Sequence, residues 1–315
     1  MNETRRAVLD ALADGPVSGP ELADALDVSR AAVWKHVEAL RDAGFGVEST
    51  GSGYVLSEIP EYGGLAVEYG LTAPFEVEYH DSVPSTNDRA RDLAADGASD
   101  VVVLADEQTG GRGRLEREWA SPSGGVWMSV VCRPDLPPAR VTLLTVAMSA
   151  AVCGAVREAG VPAEIKWPND LLVPDPDAER GGRKLAGILT EMEGEAGQVS
   201  WVVVGVGLNA NVPANDLPEG ATSLLVERGD PVERRTLVQR ALERFVELRA
   251  DPAAAREAWR EQAATLGTRV RVTLPTETVV GEAVDVTDVG ALVVETDAGE
   301  ERVVHAGECE HLRPV

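Results

Sequence analysis

SGPELADALDVSRAAVWKHVEALRDAGFGVESTGSGYVL, residues 18–56, holds two helices, the turn between them and a hairpin. Ser18 followed three residues later by Glu21 has capping-box spacing, with proline one position before the glutamate, and predicts a short helix over 20–26. Asp27-Val28 is a tight turn, and Ser29 caps a helix whose Val33, Val37 and Leu40 recur at i, i+4 and i+7, one buried stripe. Gly44 ends it. Two short alternating runs, 45–49 and 53–56, flank Thr50-Gly51-Ser52 and read as a hairpin. Upstream, Val8, Leu9 and Leu12 mark a further helix over 4–13. Three helices and then a hairpin is the order of a winged helix-turn-helix, bounded here at 1–60.

Working outward, 58–74 is rich in glycine and proline and reads as a linker. From 75 to 264, strand-like runs (75–79, 101–105, 126–132, 185–191, 201–207) alternate with helical ones (139–158, 232–249, 253–264). That pattern predicts an α+β domain built on a substantial mixed sheet. From 266 to 315 the chain reads as four or five short strands with turns at Asp288-Val289-Gly290 and Asp297-Ala298-Gly299, the expectation being a small closed β-barrel.

Composition narrows the classes. The 315 residues are 44% hydrophobic, too apolar for wholesale disorder. Inspection finds no apolar run of the ~18 residues a membrane span needs. The N-terminus MNETRRAVLDAL lacks an apolar signal core. Cys132, Cys153 and Cys309 are scattered and odd in number, which gives no disulfide framework and suits a reducing, cytoplasmic setting. The net charge is −24, and of 29 basic residues only Lys35, Lys166 and Lys184 are lysine. Excess carboxylate with little lysine is the composition expected of a salt-saturated cytoplasm, where repulsion among surface carboxylates is screened. Where lysine is so rare, each one calls for a reason.

Four segments carry chemistry. In 29–41, Arg30, Ala31, Trp34, Lys35 and His36 face outward from the second helix of the helix-turn-helix and are placed to meet DNA. Against this, 1–57 holds five basic and nine acidic residues, so a protein-binding or vestigial winged helix is the alternative. QTGGRGRLEREW (108–119) concentrates three arginines on a glycine-rich loop, suited to an oxyanion-rich ligand. It lacks the GxxxxGK[ST] of a phosphate-binding P-loop, and a flexible surface hairpin is the bland reading. IKWPNDL (165–171) and RKLAGIL (183–189) hold the other two lysines. A lysine entering an apolar strand needs a negative partner, either a protein carboxylate or a ligand. GVGLNA (205–210) fits GxGxxA but runs into Asn211, Pro213 and Pro218 rather than a helix, which excludes a dinucleotide fold. Asn209 and Asn211 remain available to a pocket at the strand end. The four histidines have no metal-binding spacing, and Ser121-Pro122-Ser123 makes no nucleophile elbow.

DSVPSTN (81–87), the 108–119 loop, KWPND (166–170), KLAG (184–187) and GVGLN (205–209), in this order behind a winged helix, resemble the biotin protein ligase family, and within it the bifunctional type that also represses biotin genes. The resemblance covers essentially the whole chain. It implies a class II synthetase-like central domain and an SH3-like C-terminal barrel. It also implies ATP-dependent formation of biotinyl-5′-adenylate and transfer of biotin to a lysine of a carboxyl carrier domain. By the same resemblance Ser85, Thr86, Asn87 and Gln108 hold the ring end of biotin. Arg112, Gly113 and Arg114 belong to the loop that closes over the adenylate. Lys184 sits at the carboxylate and α-phosphate. Arg114, Arg117, Trp119, Lys166, Asn169, Asp170 and Asn209 surround ATP, with Mg²⁺ beside Asp170. Operator DNA and a homodimer are further implied partners, and a membrane is not.

The chemistry suits these residues. A carboxylate is already a nucleophile, so the protein has to neutralise two anions and align them. Lys184 and Arg112 are the cations expected to meet around the two acids, with Asp170 assisting. Two features depart from the family pattern: Glu116, a negative charge in the loop, and the acidic, proline-rich stretch 174–182 ahead of Lys184. The rivals are a lipoate- or octanoate-type ligase, a biotin-sensing regulator that transfers nothing, and a ligase that does not bind DNA.

Overall fold

The computed structural model describes residues 3–175, 181–195 and 197–312. It divides into two units, Met1–Thr72 and Ala73–Val315.

The first unit runs α1 (Glu3–Ala13), α2 (Gly19–Ala25), α3 (Arg30–Asp42), β1 (Gly46–Thr50), β2 (Gly53–Glu58) and α4 (Gly64–Glu68). Its caps follow from the sequence. Ser18 Oγ accepts from the Glu21 amide while Glu21 Oε2 accepts from the Ser18 amide, and Ser29 Oγ accepts from the Ala32 amide. Both satisfy amides that a helix start leaves without partners. Val8, Leu9 and Leu12 of α1, Leu22 of α2, and Val33, Val37 and Leu40 of α3 bury together. Arg41 ties α3 to the wing by donating to the Val47 carbonyl. The stretch read as a linker contains α4, because Ala66 and Val67 are apolar enough to bury.

The second unit runs β3 (Glu76–Val83), α5 (Thr86–Ala95), β4 (Val101–Gln108), β5 (Val126–Cys132), α6 (Thr142–Glu158), β6 (Glu164–Lys166), β7 (Asp170–Pro174), β8 (Gly182–Glu195), β9 (Gln198–Leu208), α7 (Leu224–Arg228), α8 (Arg234–Ala250), α9 (Pro252–Glu261), and then β10 (Arg269–Thr273), β11 (Thr278–Val286), β12 (Leu292–Thr296), β13 (Glu301–Val304) and β14 (Glu308–His311). Seven strands form one sheet in the order β3-β4-β5-β9-β8-β7-β6. Only β3 and β4 are parallel. α5 packs on one face through Ala90 and Ala94, against Val103, Val131, Trp201 and Val203. The other face carries α6, where Thr145 meets Thr190 of β8, and α8 and α9 pack on α6.

With the turn before it, α6 is long and apolar enough to cross a membrane by length and composition, which the sequence reading did not expect, but 83% of that window is buried inside the protein. A helix that is apolar all round belongs in a core when other helices and a sheet enclose it. The KWPND turn, a motif without assigned strands in the sequence, joins two short strands, β6 (164–166) and β7 (170–174), which pair antiparallel.

The expected C-terminal barrel is corrected. β10–β14 bond in the open order β13-β12-β11-β10-β14, and among the described residues no pairing joins β13 to β14. Both edges are four residues long, and Glu301, Arg302 and Val303 of β13 are exposed. Short, charged edges resist further pairing, so β13 and β14 do not pair with each other.

Candidate active site

Strand β9 alternates sharply. Val202, Val204, Val206 and Leu208 point to α6, while Trp201, Val203, Gly205 and Gly207 point to the α5 side. The α5 face is therefore apolar under the helix and bare beyond it. Gly207 pairs with Gly187 of β8, and the Trp119 indole lies over this pair. A Cβ at Gly207 would fall 2.7 Å from Trp119 Nε1, and one at Gly187 would fall 3.1 Å from the same ring. A Cβ at Gly205 would fall 2.1 Å from Asn87 Oδ1. The glycines make a floor on which a tryptophan and an amide rest.

At one end of this floor, the N-terminus of α5 presents Ser85, Thr86 and Asn87, all buried. Ser85 Oγ caps the helix by accepting from the Asp88 amide. Gln108 Oε1 accepts from both the amide and the hydroxyl of Thr86 (2.8 and 3.0 Å), and Gln108 Nε2 donates to Ser121 Oγ. Ser129 of β5, fully buried, lies 2.8 Å from Thr86 Oγ1 and 2.6 Å from Asn87 Oδ1. Asn87 Nδ2 donates to Glu191 Oε2 at 2.7 Å. This is a neutral polar bed in which each group is oriented by a neighbour.

At the other end, Lys184 Nζ pairs with Asp170 Oδ1 at 2.7 Å and stands 5.0 Å from the centre of the Trp119 ring, within cation–π range. The strand lysine thus has its negative partner in the protein. Asn169 is clamped to β8, its Nδ2 donating to the Ile188 carbonyl, and its Oδ1 accepts from Arg114 at 3.3 Å. Burial pulls the Arg114 pKa down, while the carboxylates of Asp170 and Glu308 oppose that pull. Trp119 Nε1 is buried without a hydrogen-bond partner, a donor left to spare in a protein interior.

The Gly-Arg segment is a folded hairpin, bridged at Gln108–Ser121 and Arg112–Glu118. Leu115 and Glu116 turn its tip with φ of 56°, and Glu116 points to solvent, 3.8 Å from Arg112. Its three arginines diverge. Arg112 pairs with Asp88 of α5, Arg114 reaches Asn169 and the Gly307 carbonyl, and Arg117 pairs with Glu308. Lys184 and Arg112 therefore hold different carboxylates, and the loop arginine brought to the Lys184–Asp170 pair is Arg114. Gly113 donates its amide to the Arg117 carbonyl within the loop.

Other expected site residues lie elsewhere. Asn209 is buried and donates to the Thr222 carbonyl. Lys166 is buried near Cys309 and His311; burial pushes the Cys309 thiol up to about 12 against the pull of Lys166, and burial together with Lys166 pushes His311 down to about 4. Of the 174–182 stretch, Pro174 ends β7 and Gly182 opens β8, while 176–180 fall outside the described residues; Lys184 pairs in register with Leu172. Among the described residues no group of three His, Cys, Asp or Glu side chains could hold a metal. In the first unit, Arg30, Trp34 and Lys35 are exposed on α3. His36 is half-buried, and burial together with Arg5 lowers its pKa, so it brings no cation at neutral pH. Sequence reasoning missed Asp88, Ser129 and Glu191. Ser129 and Glu191 were readable only as polar breaks in apolar strands.

Three family models match the chain: an HTH domain over 4–55, the Biotin/lipoate A/B protein ligase family over 79–209 and the biotin protein ligase C-terminal domain over 265–312. The Bifunctional ligase/repressor BirA of Bacillus subtilis is 36% identical over 307 residues, 92% of each chain. The chain belongs to the bifunctional biotin ligase/repressor family. Its Escherichia coli relative in that family is 30% identical over 293 residues. A biotin–[acetyl-CoA-carboxylase] ligase of Mycobacterium tuberculosis is 38% identical over 250 residues, 74% of this chain and 89% of the relative. Among solved structures, the biotin protein ligase from Aquifex aeolicus in complex with biotin and ATP superposes with a TM-score of 0.62 at 25% identity, covering 76% of this chain and 99% of that one. In this ligase/repressor family member, then, the whole glycine floor, Gly187, Gly205 and Gly207, lies within the matched ligase segment.

Proposed function

We propose that the chain joins biotin to ATP, giving biotinyl-5′-adenylate and pyrophosphate, and then passes biotin to a lysine of a carboxyl carrier domain. The observation that carries this reading is one glycine-floored sheet face with a neutral hydrogen-bonding bed at one end and Lys184, Asp170, Arg114 and Trp119 at the other. A ureido ring is neutral and offers both donors and an acceptor, which suits Thr86, Asn87 and Gln108, with Ser85 framing them. A carboxylate and a triphosphate are anions that repel, which suits Lys184 and the loop arginines Arg112, Arg114 and Arg117.

In the first step a biotin carboxylate oxygen attacks the α-phosphorus and pyrophosphate leaves. Lys184 neutralises the approach, exchanging Asp170 for the incoming oxyanions. In the second step the carrier lysine attacks the acyl carbon and AMP leaves. Loop closure over the mixed anhydride keeps water out. Trp119, with a spare N–H, suits the adenine. Mg²⁺ would arrive with the nucleotide, since among the described residues the protein offers Asp170 and no cage of three or more carboxylates, histidines or cysteines; it neutralises phosphate charge when bound.

The winged helix, with Arg30, Trp34 and Lys35 outward, supports operator binding in the same chain, and a homodimer and a cytoplasmic setting fit this reading. The acidic, lysine-poor composition supports work in concentrated salt. The test is ATP–pyrophosphate exchange in molar KCl with and without biotin, followed by mass spectrometry of a carrier domain. Biotin-dependent exchange and a biotinylated lysine are expected. Exchange driven by lipoate or octanoate instead, or adenylate formed without transfer, overturns the reading. Equal stability in dilute buffer and molar KCl would remove the salt adaptation.

A further inference from the structure

The polar bed continues beyond Asn87 into a line of charged contacts. Glu191 accepts from Asn87 Nδ2 through Oε2 and from Arg91 Nη1 through Oε1, the latter at 3.1 Å. Arg91 Nη2 donates to Asp88 Oδ1 at 2.5 Å, and the same oxygen accepts from Arg112 of the Gly-Arg hairpin. An unbroken run, Asn87–Glu191–Arg91–Asp88–Arg112, thus joins the amide at the ring end to the loop arginine.

Two arguments assign this run to geometry rather than to stability. The charged side chains are 28–40% exposed, and ion pairs so open to water add little to folding. An amide, moreover, has two ends of nearly equal shape that only its partners distinguish. A carboxylate accepts and does not donate, so Glu191 holds Nδ2 towards itself, turns Oδ1 to Ser129 and leaves the second Nδ2 hydrogen for a ligand. Gly205, with no Cβ, lets the amide lie flat on β9 in that one orientation.

We propose that Glu191 and Asp88 are positioning residues of the ligase reaction, the two acidic members of an arginine-centred strut that fixes the Asn87 amide for the ureido ring and the Arg112 guanidinium of the closing loop. The proposal rests on the ligase reading above. Neither carboxylate meets the reacting atoms; each acts through the residue it holds.

The test uses the full chain in molar KCl, with pyrophosphate exchange, carrier biotinylation and the rate of adenylate escape as readouts. If the wild-type chain shows no biotin-dependent exchange, the ligase reading itself fails and the strut falls with it. With an active wild type, Glu191→Ala raises KM for biotin by about tenfold and leaves kcat and KM for ATP within about twofold, the pattern of lost ring-end positioning. Glu191→Gln keeps an acceptor facing Asn87 and recovers KM for biotin to within about threefold of wild type. Asp88→Ala frees Arg112 and speeds adenylate escape by about fivefold, with KM for biotin changed less than about twofold. An unaltered KM for biotin in Glu191→Ala, an equal rise in both KM values, or a glutamine variant no better than alanine overturns the proposal while leaving the ligase reading standing. Should Glu191→Ala fail to fold, Asp88→Ala decides, and unchanged adenylate escape overturns it.

Discussion

The two ends of the glycine floor solve different physical problems. At the Thr86–Asn87–Gln108 end the groups that face the floor are neutral, Thr86 and Asn87 are buried and Gln108 partly so, and neighbours hold each in place by hydrogen bonds. At the Lys184 end the groups are charged, with Lys184 and Asp170 partly buried and Arg117 and Glu308 exposed, and two of the cations are held by protein carboxylates: Lys184 by Asp170, Arg117 by Glu308. A neutral ligand is recognised by a bed that need not change. An anionic ligand is recognised by cations parked on carboxylates, which the ligand must displace. Rigid recognition and exchangeable recognition thus sit on one sheet face.

The sharpest break of this contrast is Lys184→Ala, which removes the cation and keeps the strand. Adenylate formation should fall by at least ~100-fold, the scale of one lost charge-stabilising donor, with the thermal midpoint little changed; an unimpaired variant would refute the role. Next is Gly205→Ala, whose Cβ must displace the Asn87 amide. KM for biotin should rise by roughly tenfold, about 1.4 kcal/mol, with KM for ATP steady. If both rise together, the two ends are not separable.

The charged end also rests on a group that stays neutral. The Thr265 hydroxyl accepts from the Trp167 amide and stands 3.1 Å from His311 Nε2, and burial, with Lys166, pushes the His311 pKa down to about 4. Because the unfolded chain takes up this proton near pH 6.5, the native state loses stability as pH falls from 6.5 towards 4 and keeps it above 6.5. Partial exposure limits the loss to the order of 1–2 kcal/mol. Thermal melts across that window should show the loss in wild type and a flatter profile in His311→Asn. The smallest effect is expected from Glu308→Gln. Arg117 and Glu308 are 66% and 48% exposed, so stability should move by less than about 1 kcal/mol, and KM for ATP should fall slightly as Arg117 loses its competitor.

Much of this was legible along the chain. The capping box at Ser18, the Ser29 cap and the helical stripe of 18–41 made the winged helix legible because those signals span three or four residues. The central strands were legible as apolar runs, whereas the GVG of β9 read only as an excluded dinucleotide motif, and its part in the glycine floor came from its pairing with Gly187 and its contact with Trp119. The partners were not legible. Asn87 and Glu191 stand 104 positions apart, and Arg117 and Glu308 stand 191 apart, distances over which spacing carries no information.

The sequence by itself determined the order of modules, the concentration of scarce lysine and glycine-flanked arginine in two segments, and the chemistry those residues can perform, since each depends on residue type and short-range periodicity. Only the tertiary structure decided that Arg114 rather than Arg112 comes close to the Lys184–Asp170 pair, that Glu191 holds Asn87 while Asp88 holds Arg112, and that the C-terminal sheet stays open. Those outcomes depend on strand register and on which edges find partners, and register is set by packing across the whole sheet.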